Sequence, residues 1–168
     1  YKLQTIMHYV NRETLIKQHE KQQIGKASGI DDITKEKYEK NLEVNIENLL
    51  TRMKSFSYRP RPVRKTYIPK SNEKLRGLGI PCYEDKLVQG AMADVLNEIY
   101  ENIFYDFSYG FRPKKNCHQA ISQINWLLMT RKVNYILDAD IKGFFDNIDH
   151  DIMFSILWHI LSMRKNVL

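Results

Sequence analysis

The chain predicts a helix-rich α+β fold. Three observations carry this reading. Apolar residues recur at helical spacing through most of the 168 residues. Two short extended runs flank one polar turn, the pattern of a hairpin. One apolar run, Val133 to Asp140, reads as a strand and ends among carboxylates. The pattern lacks the alternation of a βαβ array, and it holds no internal repeat and no low-complexity linker. The length allows one core or two small lobes. An apolar content of 43% argues against wholesale disorder.

The elements follow in order. Residues 1–24 carry Ile6, Tyr9, Val10, Leu15 and Ile16 among charges, a helical signal. Gly25 to Asp32 is a turn-rich break. Tyr38, Leu42, Ile46, Leu49, Leu50 and Met53 then predict a helix over about 34–56. Tyr58 to Pro62 ends it, because residues before proline avoid the helical region. Arg64–Pro69 and Leu75–Ile80 form the hairpin around Ser71 to Lys74. Leu87, Val88, Ala91, Val95, Leu96, Ile99 and Ile103 mark an amphipathic helix over Asp85–Phe104. Ser108 to Pro113 is a loop containing a buried aromatic. Ala120, Ile121, Ile124, Leu127 and Leu128 predict a helix over His118–Arg131. The strand Val133–Asp140 follows, and a helix over His150–Met163 closes the series, with Asp149 as its N-cap.

The formal charge of +6 is concentrated. From Thr51 to Arg76 there are nine Lys or Arg and one acid, Glu73. Such a stripe fits a polyanion, because phosphate contacts release counterions. A solvated basic face is the equal alternative on charge alone. Cys82 and Cys117 are far apart, which reads as two reduced thiols. No run reaches membrane-spanning length, and no signal peptide opens the chain. The absence of an initial Met reads as a portion of something larger. His118, His150 and His159 lack zinc spacing. No Gly-rich phosphate loop or nucleophile elbow is present.

Candidate chemistry lies in three places. Lys70 and Arg76 flank the hairpin turn and could close over a triphosphate, or simply be solvated. Arg112, between Phe111 and Pro113, could be held near a strand end. Asp138 and Asp140 share one strand face. A buried strand-end carboxylate needs a metal, a cation or hydrogen bonds to offset its desolvation, and metal-binding aspartates of phosphoryl-transfer enzymes sit this way. Phe145 could floor a pocket beside Asp140, or Phe144 and Phe145 could both be core, as one of them is expected to be.

The order of these signals is more specific than any one of them. Gly25–Asp31, Tyr58–Arg64, Ile68–Lys70 with Lys74–Pro81, Asp85–Gln89, Ser108–Pro113 and Asp140–His150 together closely resemble the reverse transcriptases, or maturases, encoded by group II introns. The resemblance spans about residues 20 to 160. It implies a right-hand polymerase, of which this chain is the fingers (1–83, with an N-terminal extension over about 1–33) and a partial palm (84–168). Asp140 matches the family's first catalytic, metal-binding aspartate, and the Ile141 carbonyl would also reach a metal. Phe145 matches the aromatic under the sugar. Lys70 and Arg76 match the cations that hold the incoming dNTP. The implied cofactor is Mg2+ in a two-metal site. The implied partners are intron and template RNA, a DNA primer and dNTP, with no membrane and with a homodimer as a further candidate.

Departures are visible: Glu73 and Asp32 stand where the family commonly has Gly, and Lys86 where it has Arg. The Tyr-Ala-Asp-Asp hairpin, the thumb and the maturase segment are absent from the 168 residues, so the chain alone is expected to be inactive. The full enzyme would copy RNA into DNA and assist intron splicing and mobility, in a bacterial cytoplasm or an organelle. Two other readings stay open: a non-catalytic RNA-binding or self-associating splicing helper, and a retron-type reverse transcriptase.

Overall fold

A computed structural model describes residues 8–69 and 75–163 of the chain. Lys70 and the turn residues 71–74 lie outside them. Six helices and one two-stranded sheet are present among the described residues: α1 (Arg12–Lys21), α2 (Lys35–Glu39), α3 (Leu42–Lys54), β1 (Arg64–Pro69), β2 (Leu75–Ile80), α4 (Tyr83–Tyr100), α5 (Cys117–Thr130) and α6 (His150–Met163). A single 3-10 turn covers Phe145–Asn147. The described residues divide into two compact units on either side of Glu98 and Ile99, with the boundary in the last turn of α4.

The first unit holds the core. Asn11 caps α1 by accepting from the Thr14 amide, and Thr14 returns the bond to the Asn11 amide. Leu15, Ile46, Leu49 and Leu87 are fully buried, joined by Tyr38, Leu50, Met53, Tyr83 and Ala91. Each fully buried Leu or Ile contributes roughly 1.5–3 kcal/mol of transfer free energy. All of these but Tyr83 are residues whose helical spacing marked the first three predicted helices. The stretch expected as one helix over 34–56 is two helices, because the chain breaks at Lys40 and Asn41 and restarts at Leu42. The Asn45 side chain donates to the Tyr38 carbonyl at 2.9 Å, closing the end of α2.

The hairpin matches its expected bounds. Its register sets Arg64 opposite Ile80, Tyr67 opposite Gly77 and Ile68 opposite Arg76. One face therefore carries Lys65, Tyr67, Gly77 and Gly79, and the other Arg64, Ile68, Arg76 and Leu78.

The second unit departs most from expectation. The strand expected over Val133–Asp140 does not form: these residues have no regular secondary structure and are exposed. A strand is stable only with a ladder partner, and none faces this segment among the described residues. Helix α4 begins at Tyr83 and ends at Tyr100, so Ile103 lies beyond it and is exposed. Phe111 is fully exposed, not the buried aromatic expected of its loop. Helix α5 buries none of its residues despite its apolar stripe. Helix α6 starts at His150 as expected, with Asp149 Oδ1 accepting from the Asp151 and Ile152 amides at 2.9 and 3.0 Å.

Candidate nucleic-acid interface

The basic stripe is not uniformly free. At its start, Arg52 donates to Glu84 at 2.6 Å. Arg61 faces Asp31 at 3.9 Å and Arg64 donates to Asp32 at 2.5 Å. Arg59 turns back on the carbonyls of Phe56 and Tyr58, both at 2.8 Å. On the hairpin itself, the Lys65 ammonium lies 5.4 Å from the Tyr67 ring centroid. Tyr67, Ile68, Leu75 and Leu78 stay exposed beside these cations. Exposed aromatic and apolar side chains interleaved with cations are what a single-stranded nucleic acid needs: stacking for bases, charge for phosphates.

Two neighbouring acids at the start of α4 hold the segment that leads into this hairpin and the helices before it. Asp85 is buried. Its Oδ1 accepts from the Tyr58 hydroxyl, and its Oδ2 accepts from the Arg61 amide at 3.1 Å. Burial and this carboxylate both push the Tyr58 hydroxyl up from its ordinary value. Glu84 accepts from Arg52 and, at 3.5 Å, from Tyr38. The loop 25–32 packs on the same place. Lys86 donates to the Ala27 carbonyl at 2.9 Å. A Cβ on Gly29 would stand 2.6 Å from the Cys82 Cα, so only glycine fits this approach. Deeper in the unit, His19 is buried beside the paired Tyr38 and Tyr83 rings. Its Nδ1 pairs with the Tyr83 hydroxyl at 2.8 Å, and its Nε2 has no hydrogen-bond partner among the described residues. Burial, with help from Lys35, lowers its pKa, while burial pushes the Tyr83 hydroxyl up to about 12.

The predicted site residues fall into two groups in different units. Arg76 is on β2 and exposed. Lys70 falls outside the described residues. Asp138, Asp140 and Ile141 lie in the irregular segment and are exposed. Phe145 begins the 3-10 turn, packed edge-to-face on Phe144 at 5.3 Å. Both rings are exposed, at 81% and 50%, so neither is core as expected. Arg112 is a structural cation: it donates to Glu101 at 2.8 and 3.2 Å and to the carbonyls of Tyr105 and Ser108 at 2.7 and 2.9 Å. Its guanidinium also lies 5.1 Å from the Phe104 ring centroid. Sequence spacing showed neither the Asp85 anchor nor the Glu101 partner. The only signal was proximity of an acid to a basic motif.

A Mg2+ ion needs a near-octahedral set of oxygen ligands. Asp140 offers a carboxylate and Ile141 a carbonyl. Among the described residues no three ligating side chains come together. These donors do not make a magnesium site by themselves. No helix among the described residues is long and apolar enough to cross a membrane.

Residues 68–165 match the sequence profile described as reverse transcriptase (RNA-dependent DNA polymerase). The chain belongs to the reverse transcriptase family. Among its relatives, the group II intron-encoded protein LtrA of Lactococcus lactis subsp. cremoris is 44% identical over 109 residues, covering 64% of this chain and 18% of LtrA. Protein YkfC of Escherichia coli K12 is 36% identical over 128 residues, covering 74% of this chain and 34% of YkfC. The uncharacterized 91 kDa protein in the cob intron of Schizosaccharomyces pombe is 35% identical over 112 residues, covering 67% and 14%. The chain thus spans from about a seventh to a third of these relatives. The family profile begins within β1, so it takes in Arg76, the Arg112 knot, Asp140 and Phe145.

Proposed function

We propose that this chain is the RNA-gripping front part of a group II intron reverse transcriptase, with residues 1–83 as fingers and 84–168 as the first part of a right-hand palm. The observation that carries this is the hairpin Arg64–Ile80, whose approach is held by Asp85, displaying Lys65 and Tyr67 on one face and Arg76 on the other, with the family match beginning within β1 at residue 68. In the whole protein, Lys70 and Arg76 would neutralise the triphosphate of an incoming dNTP, which is where negative charge develops during phosphoryl transfer. Phe145 would lie under the sugar, and its exposure leaves its ring free for that contact. Asp140 would supply the first catalytic carboxylate. The whole protein would then extend a DNA primer on an RNA template and act on its intron RNA in splicing.

The test is binding of this chain to a single-stranded RNA across a salt series. Binding should weaken steeply with salt, with a logarithmic slope of about −0.7 for each phosphate contact. Affinity that stays flat between low and moderate salt would rule out the reading.

A further inference from the structure

The two successive carboxylates of the loop 25–32 have different surroundings. Asp31 has a side chain only 6% exposed and stands 3.9 Å from Arg61, and its Oδ1 accepts from the Ile33 amide at 3.3 Å. It belongs to the packing of the loop. Asp32 is 68% exposed in its side chain, and the Arg64 guanidinium it meets is 41% exposed. Their contact at 2.5 Å is therefore made in water. Such a pair is weakly held and exchanges readily for another anion.

Asp32 is nevertheless set in place. Its backbone is left-handed, at φ 51°, a conformation that suits glycine and that Asp tolerates better than most residues. Its amide donates to the Gly29 carbonyl at 3.3 Å, and its carbonyl accepts from Lys37 at 3.0 Å. Ser28 reaches its Oδ1 at 3.4 Å. Gly29 in turn lies against the Cys82 backbone. The loop thus holds a carboxylate on one arginine of the hairpin. An arginine guanidinium donates to a carboxylate or to a phosphate oxygen alike, and here one Nη of Arg64 donates to Asp32 Oδ1.

We propose that Asp32 is an internal stand-in for a nucleic-acid phosphate on Arg64, and that it sets how tightly the basic hairpin holds RNA. An RNA phosphate gains Arg64 only by displacing Asp32. The counter-charge that Arg64 would otherwise collect from solution is already supplied by the chain, so Arg64 adds little to affinity or to salt dependence until the carboxylate leaves. The Arg64 contact also holds the Asp32 carboxyl below its ordinary range, so it stays ionised wherever RNA binding is measured. The inference rests on the RNA-binding reading above, but it can fail while that reading stands.

The experiment measures binding of a fluorescent single-stranded RNA to the whole chain, as wild type, Asp32→Asn, Arg64→Gln and the double variant, across a salt series. Asn keeps the size of Asp and tolerates the same backbone, and a thermal melt of each variant confirms folding. Asp32→Asn should bind about two- to fivefold tighter at low salt. Its salt slope should steepen by about 0.7, the share of one single-strand phosphate. In the Arg64→Gln background the same change should alter affinity less than about twofold. Wild-type affinity in Asp32→Asn, with steep salt dependence retained, would overturn the inference and leave RNA binding intact. An equal gain with and without Arg64 would also overturn it, since Asp32 would then act only as a general negative charge. A folded wild type with no RNA affinity would overturn both readings.

Discussion

Replacing Asp85 by Ala tests what holds the basic hairpin to its unit. The carboxylate is buried and accepts two hydrogen bonds, from the Tyr58 hydroxyl and the Arg61 amide. Hydrogen bonds to a charged group contribute roughly 1.5–3 kcal/mol each. An acid in the first turn of α4 adds about 0.3–1 kcal/mol through the helix dipole. Two terms reduce this sum. Alanine removes the cost of burying a charge. Tyr58 is only partly buried and Arg61 is exposed, so the freed donors reach water. The net loss is about 2–3 kcal/mol, which for a unit of this size lowers the melting temperature by about 10–20 °C. Asp85→Asn keeps the shape but only one acceptor oxygen, so it can accept from the Arg61 amide while its NH2 donates to the Tyr58 hydroxyl, and neutral bonds are about half as strong. Its loss should be near 1 kcal/mol. Urea unfolding measures both values. Limited trypsin digestion adds a local readout at Arg64 and Lys65, the nearest cleavable sites of the hairpin, because Arg59 and Arg61 each precede a proline and are not cut. An Asp85→Ala variant within about 0.5 kcal/mol of wild type, with unchanged cleavage there, would refute the anchoring argument.

Two further outcomes follow from the geometry. His19 has a folded pKa below its ordinary value of 6.5 because burial disfavours the imidazolium, with Lys35 adding to it and Glu39 and Glu20 opposing. Its contribution to stability is complete above about 6.5 and is lost as pH falls from there through the lowered folded value, since the unfolded chain then binds the extra proton. Replacing His19 by Gln should flatten the fall in urea midpoint between pH 7 and 5; an unchanged slope would clear His19 of this role. Phe145→Val should leave the stability of this chain within about 0.5 kcal/mol, because the ring is 81% exposed. In a protein spanning the whole family domain, the same change should raise ribonucleotide use in primer extension. A destabilised variant with its sugar preference intact would make Phe145 a packing residue.

Elements built from local chemistry were legible in the sequence. The hairpin bounds follow from two extended runs around a polar turn, and the start of α6 follows from an acid at its cap. Leu15, Ile46, Leu49 and Leu87 reach the core because periodicity puts them on one helix face, whatever that face packs against. The order of motifs was legible too, and it carried the family. Tertiary structure decided what depends on partners. Val133–Asp140 has the composition of a strand, but a ladder is a property of two segments, and no second segment faces it among the described residues. Arg112 read as a loop cation until Glu101, eleven residues earlier, closed on its guanidinium. Phe144 and Phe145 looked like core because they are apolar, yet burial requires a neighbour to cover them. The pairing of Arg61 and Arg64 with Asp31 and Asp32 joins residues about thirty apart. Periodicity cannot see such a contact, because it is set by where Gly29 lets the loop lie on Cys82.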